Sequence, residues 1–195
     1  MLGPTFGRIA VDDIEPESYR TIVRAWNEQR GDALFPPKEK IDPFVVPALA
    51  SHLILYEVAG KDLIYRIVGE KVMTAVGTRL RGRSLREAFG DTPYVDMIER
   101  QLQECAASGV PLYSRHDFEL TPAAAFAVSH TRKAWRIALP YGEAPGENPG
   151  ENPGEKKGVT RLLCYQLFSQ TIEAAFQKEV DFAGLMPESV FKIQI

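Results

Sequence analysis

The chain has 195 residues, 45% of them hydrophobic and 25% charged, with a formal net charge of −3. That length fits one domain with extensions, and the composition is that of a globular chain able to bury a core. The acidic balance argues against a nucleic-acid-binding surface, which needs a basic excess, and no apolar run approaches the roughly 20 residues that cross a bilayer.

The first residues, MLGPTFGRIAVDD, lack the basic start and long apolar core of a signal peptide, and residues 1–15 are read as an N-terminal segment. Residues 16–30 follow as an amphipathic helix. Tyr19, Ile22, Val23 and Trp26 recur at i, i+3, i+4 and i+7, Pro16 suits the first turn and Gly31 supplies a stop. Its other side (Arg20, Arg24, Glu28, Arg30) reads as a solvated face. A proline-rich connector leads to Asp42, placed to cap a short helix through Leu49. Strands are predicted over 52–58 and 63–68, joined by the turn Ala59-Gly60-Lys61-Asp62.

The stretch 62–89 then runs from a strand into small helical turns punctuated by Gly69, Gly77 and Gly82. These glycines lack the spacing and the parallel βαβ setting of a dinucleotide fingerprint, so they are read as positive-φ positions at turns and helix ends. Asp91-Thr92-Pro93 starts a longer helix whose inner face carries Val95, Ile98, Leu102 and Cys105, and Gly109 ends it. Strands follow over 110–120, 129–140 and 159–168, with a turn at 122–127. Residues 142–158 contain the repeat PGENPGENPGE and read as a mobile hairpin insertion. Residues 169–195 form a C-terminal extension with a helix over 171–180 and a last extended piece over 190–195.

Catalytic and metal chemistry finds little support. His52, His116 and His130 have no Cys or carboxylate at metal-ligand spacing, and adjacent His116 and Asp117 point to opposite faces of a strand. Ser84, in Gly-Arg-Ser-Leu, lacks the second glycine of a nucleophile elbow. Cys105 and Cys164 lie within apolar patterns, as small buried residues of a reducing cytoplasm do.

Arg66 interrupts an apolar strand. It is either a clamp for an anionic ligand or, the reading favoured here, a strand arginine paired with Glu57 or lying under the N-terminal helix. Tyr56, Tyr65, Trp135 and Tyr165, spread over four strands, are candidates to line a small-molecule pocket, with core or interface packing an equal alternative. Arg79, Arg81, Arg83 and Arg86 form a basic loop, solvated by default and otherwise a site for an anionic partner.

The order of elements, with IDPFVVPALASHLILYEV (41–58), YRIVGEKV (65–72), LRGRSL (80–85), WRIALPY (135–141) and VTRLLCYQLF (159–168), resembles the PAS superfamily of sensory domains. More narrowly it is similar to a stand-alone PAS-like family of alphaproteobacteria, over roughly residues 18–168. The resemblance implies an α+β fold: a single five-stranded antiparallel sheet with helices on one face, plus the N-terminal amphipathic helix. It also implies a sensory or ligand-binding module, and a homodimer through Tyr19, Ile22, Val23 and Trp26.

No output segment follows these strands, so the signal is expected to pass to a separate protein partner. Haem is disfavoured because residues 93–108 hold no axial histidine, and photoactive flavin because LRGRSLREAF holds no cysteine. The alternatives are a ligand-free interaction adaptor, or a small cone-shaped isomerase or dehydratase with Asp117 or His130 as base. Such enzymes place long helices before most strands, unlike the order read here.

Overall fold

The computed structural model describes residues 6–76, 79–120, 130–143, 158–168 and 189–195. Strand β1 (Gly7–Ala10) leads through a single 3-10 turn into helix α1 (Glu17–Arg30). The connector carries two further 3-10 turns, the second at Pro47–His52, and then come strands β2 (Leu53–Ala59) and β3 (Asp62–Val68). Helices α2 (Glu70–Val76), α3 (Leu85–Phe89) and α4 (Pro93–Ser108) follow, then strands β4 (Leu112–Leu120), β5 (His130–Gly142), β6 (Val159–Phe168) and β7 (Ser189–Gln194).

Among the described residues these strands form one seven-stranded sheet in the order β1-β7-β4-β5-β6-β2-β3. The expected sheet of five antiparallel strands is therefore corrected to seven strands in a mixed sheet. Strands β3, β2, β6, β5 and β4 are joined by antiparallel ladders. The C-terminal piece adds β7 antiparallel to β4, and β1 then pairs with β7 in parallel. The extra strands cover the edge that β4 would otherwise leave with unpaired backbone groups. Gly142 pairs with Val159, so the insertion leaves and re-enters at adjacent strand ends. The repeat itself, the turn at 122–127 and the helix expected over 171–180 lie outside the described residues.

Both faces of the sheet are covered, which is why β6 reads as a nearly continuous apolar run. Leu162 and Cys164 face one way, joining Ile54, Tyr56, Leu63 and Tyr65 against α2, α3 and α4. Leu163 and Tyr165 face the other way, joining Ile137, Leu139 and Tyr141 against α1. We refer to the first face, closed by α2–α4, as the cup.

The stripe expected to dimerise is covered by the chain's own sheet. Tyr19, Ile22, Val23 and Trp26 are 0–2% exposed. The Tyr19 hydroxyl lies 3.0 Å from the Trp135 carbonyl and 2.8 Å from that of Tyr165, and Trp26 Nε1 donates to the Pro140 carbonyl at 2.9 Å. These anchors fix α1 across β5 and β6, so the four side chains offer no surface to a second copy.

Local signals explain the element ends. Thr92 accepts from the Val95 amide and Pro93 opens α4, while Gly109, at φ 66°, closes it. Ser84 and Glu87 form a reciprocal capping box on α3. Asp42 accepts from the Phe44 amide and so shapes a turn; the 3-10 helix begins only at Pro47, correcting the expected cap. Of the three glycines in the stretch after β3, Gly82 has positive φ, at 83°. Gly69 is needed for a different reason: a Cβ there would sit 2.3 Å from the Ser51 carbonyl oxygen. Its amide donates to the Leu53 carbonyl at 2.7 Å, which fixes the close approach. Gly77 lies outside the described residues.

Candidate ligand-binding site

The core on the cup side is apolar apart from a row of polar side chains. Register places Ser114 on β4 opposite Arg136 on β5, and Arg136 opposite Gln166 on β6. All three are buried, at 3%, 7% and 5% exposure, and Gln101 of α4 is buried at 3%. Arg136 Nε donates to Gln166 Oε1 at 2.7 Å, and its Nη1 lies 3.5 Å from Gln101 Oε1. Gln166 Nε2 is buried without a hydrogen-bond partner. Taking a guanidinium out of water costs several kcal/mol in effective terms, and an unmade buried hydrogen bond roughly 1–3 kcal/mol, so this row is an expensive feature of the core.

Two predicted ligand residues, Tyr56 and Tyr65, belong to the same face. They are register partners whose ring centroids lie 4.7 Å apart. Burial pushes the Tyr56 phenol well up, and the neighbouring Tyr65 adds to this through its charge and a side-chain hydrogen bond. Arg136 acts in the opposite direction on Tyr56 and on Cys164, favouring the anionic form of each. It acts in the same direction on Tyr19 on the α1 side, so its effect is not confined to the cup.

The other predicted residues do not join them. Trp135 and Tyr165 pack on the α1 side of the sheet, where the Tyr165 hydroxyl donates to the Pro43 carbonyl at 3.2 Å. The four aromatic residues therefore lie on two faces and cannot line one pocket. Arg66 lies exposed on β3 with its Nε 2.8 Å from Glu57, and Arg161 approaches the same carboxylate at 3.3 Å. The favoured expectation of a Glu57 pair thus holds.

Nor is the loop at 79–86 a free basic patch. Arg86 contacts Asp91, Asp96 and Glu99 at 2.6–2.7 Å, and Arg83 hydrogen-bonds the Glu87 carbonyl. Arg86, Asp96 and Glu99, with Lys61, Asp62, Arg100 and Gln103, border a charged cleft of about 540 Å³ between the β2–β3 turn and α4. Ser84 is occupied as the α3 cap, in keeping with its dismissal as a nucleophile. His52 Nδ1 lies 3.1 Å from the Gln166 carbonyl, a backbone contact. The side chains of His116, Asp117 and His130 lie outside the described residues. No group of three or more His, Cys, Asp or Glu side chains able to hold a metal occurs among the described residues.

A family model described as "PAS domain" matches residues 14–128, more than half of the chain. The chain belongs to the PAS domain family. Comparison with curated proteins and with solved structures gives no match. The matched stretch covers α1 to β4, so it includes Tyr56, Tyr65, Gln101 and Ser114, while Arg136 and Gln166 lie beyond it. No helix of the described PAS chain is long and apolar enough to cross a membrane.

The sequence reading missed Arg136, Gln166 and Gln101. The signal was present, since Arg136 interrupts WRIALPY as plainly as Arg66 interrupts its own strand. Gln101 likewise falls three residues after Ile98, on the inner face of α4.

Proposed function

We propose that this PAS domain is a sensory module that takes up a small molecule in its cup and passes the occupied state to a separate protein partner. The observation that carries the reading is the buried row Ser114–Arg136–Gln166 beneath Gln101. A core built for stability alone gains nothing from an amide N–H left without an acceptor beside a buried guanidinium, whereas a recognition site uses such groups to orient a ligand. The enclosing helices α2–α4 and the paired phenols of Tyr56 and Tyr65 supply apolar walls with polar tips. Two free, buried cysteines support a cytoplasmic location.

Native mass spectrometry of the purified full chain tests this reading. A stoichiometric small molecule that survives Arg66→Ala and is lost in Tyr56→Phe/Tyr65→Phe or Arg136→Met supports it. A chain that never carries or binds one favours the adaptor, in which the polar row only specifies packing.

A further inference from the structure

We propose that residues 79–92 form a releasable strap over the cup-side core, latched by Arg86, and that this strap opens before the rest of the domain does. The inference goes beyond the ligand-binding reading and stands with or without a bound molecule.

The argument starts from how little else holds α3. The helix has five residues, too few to persist alone, so tertiary contacts must keep it in place. Within the strap, Leu80 and Leu85 are the fully buried apolar side chains, at 1% and 3% exposure, and Ala88 and Phe89 are partly buried against the same core. Helix α4, by contrast, sets Val95, Ile98, Leu102 and Cys105 into the core, each at 3% exposure or less. The strap's backbone meets β3 through a short bridge. The Tyr65 amide donates to the Arg83 carbonyl at 3.0 Å, and the Gly82 amide donates to the Tyr65 carbonyl at 2.7 Å.

The remaining hold is electrostatic. Arg86 Nη1 lies 2.6 Å from Asp91, and its Nη2 lies 2.7 Å from both Asp96 and Glu99. One guanidinium therefore ties α3 to the turn before α4 and to the first half of α4. Glu99 is 7% exposed, so removing its partner strands a nearly buried carboxylate. Asp96 and Glu99 are then left as like charges three residues apart on one helix. A single exposed ion pair contributes little, but here three converge on one side chain. The latch also borders the charged cleft between the β2–β3 turn and α4, where dissolved ions reach it. The far half of α4, where Cys105 Sγ lies 3.6 Å from the Ala138 carbonyl, is no part of the strap.

Native-state hydrogen exchange of the full chain, followed by NMR, tests this at four amides. Those of Gly82, Ala88 and Gly90 lie within the strap, and that of Tyr65 donates to it. In the wild type they should exchange at least about tenfold faster than the amides of the β5–β6 ladder, and with a weaker dependence on urea, as a local opening does. Arg86→Met should speed them about tenfold to a hundredfold. Arg86→Lys, which keeps the charge but loses the fork, should speed them less, and it carries the test if Arg86→Met does not fold. Arg24→Met removes an exposed ion pair with Asp12 on α1 and should leave them unchanged. Raising salt to about 0.5 M should speed the four amides severalfold in the wild type and have little effect in Arg86→Met.

The inference is overturned if the four amides exchange together with the β5–β6 ladder and with the same urea dependence, because α3 then opens only when the whole domain does. It is also overturned if both Arg86 variants exchange at the wild-type rate, since the three ion pairs would then hold nothing.

Discussion

The placement of α1 can be tested by removing its largest side chain. Trp26 is 1% exposed, packed against the apolar face that includes Leu139 and Tyr141, with its indole N–H on the Pro140 carbonyl. Truncating a buried tryptophan to alanine costs about 3–5 kcal/mol, and the stranded carbonyl of Pro140 pushes Trp26→Ala toward the upper end. At about 2–4 °C per kcal/mol for a chain of this size, Tm should fall by about 6–20 °C. Urea and thermal unfolding, followed by circular dichroism at several protein concentrations, provide the assay. Because the stripe is covered by its own sheet, the loss should not depend on concentration. Tyr19→Phe should cost less, about 1–3 kcal/mol, by removing only the hydroxyl between two strand carbonyls. The reasoning fails if Trp26→Ala loses under about 1 kcal/mol while turning a dimer into a monomer, since α1 would then face a second copy.

Three further outcomes follow from local geometry. Gly69→Ala should cost about 1–3 kcal/mol or more through collision with the Ser51 backbone. Gly82→Ala should cost about 1–2 kcal/mol through its positive φ alone, with open space around it; equal urea midpoints for the two variants and wild type would contradict both readings. The Glu87 carboxyl is held below its ordinary value of 4.5, first by the Ser84 amide and then by the Ser84 side chain. Its contribution is therefore complete above that value and is lost as pH falls through the lower folded-state value. Glu87→Gln should flatten this part of the acid limb of a Tm–pH profile, and an unchanged acid limb would refute the cap's electrostatic role. Burial pushes the Cys164 thiol up to about 12 and the Cys105 thiol well above its ordinary range, so neither should react with a thiol reagent at neutral pH until the chain unfolds. Rapid labelling of the native protein would show that the cup opens.

The legible parts of the fold were those written in short-range patterns. The α1 stripe, the Thr92–Pro93 start of α4 and the strand alternation each needed only neighbouring residues, and each marks an element in the structure. The number of strands was less legible because β1 and β7 are short and come from opposite ends of the chain. A segment such as GRIA declares itself a strand only when Phe191 to Gln194 lies beside it. The α1 stripe shows the same limit in another form. Periodicity established that Tyr19, Ile22, Val23 and Trp26 are buried, but the surface that buries them is a long-range fact. Here it is the outer face of β5 and β6, fixed by hydrogen bonds from Tyr19 and Trp26 to carbonyls more than a hundred residues away.

The candidate site followed the same logic. A single strand arginine is ambiguous, because the sequence does not say which face it occupies or what lies opposite. Arg66 and Arg136 both interrupt apolar strands, yet β3 is an edge strand and β5 is central. On the edge, Arg66 reaches solvent and pairs with Glu57 on the adjacent strand, so its charge is screened and needs no special purpose. In the centre, Arg136 lies under α4 with amide partners on β6 and α4, and its desolvation must be offset by groups brought from far along the chain. Position in the sheet, more than residue type, therefore decides which arginine is a functional candidate. The same reasoning divides the four aromatic residues: alternation sends Tyr56 and Tyr65 into the cup and Trp135 and Tyr165 to the α1 side. Among the described residues, this face of the sheet holds a buried guanidinium, a Gln166 amide N–H without an acceptor and two phenols within an apolar core, and that asymmetry favours a recognition site over a filled, uniform core.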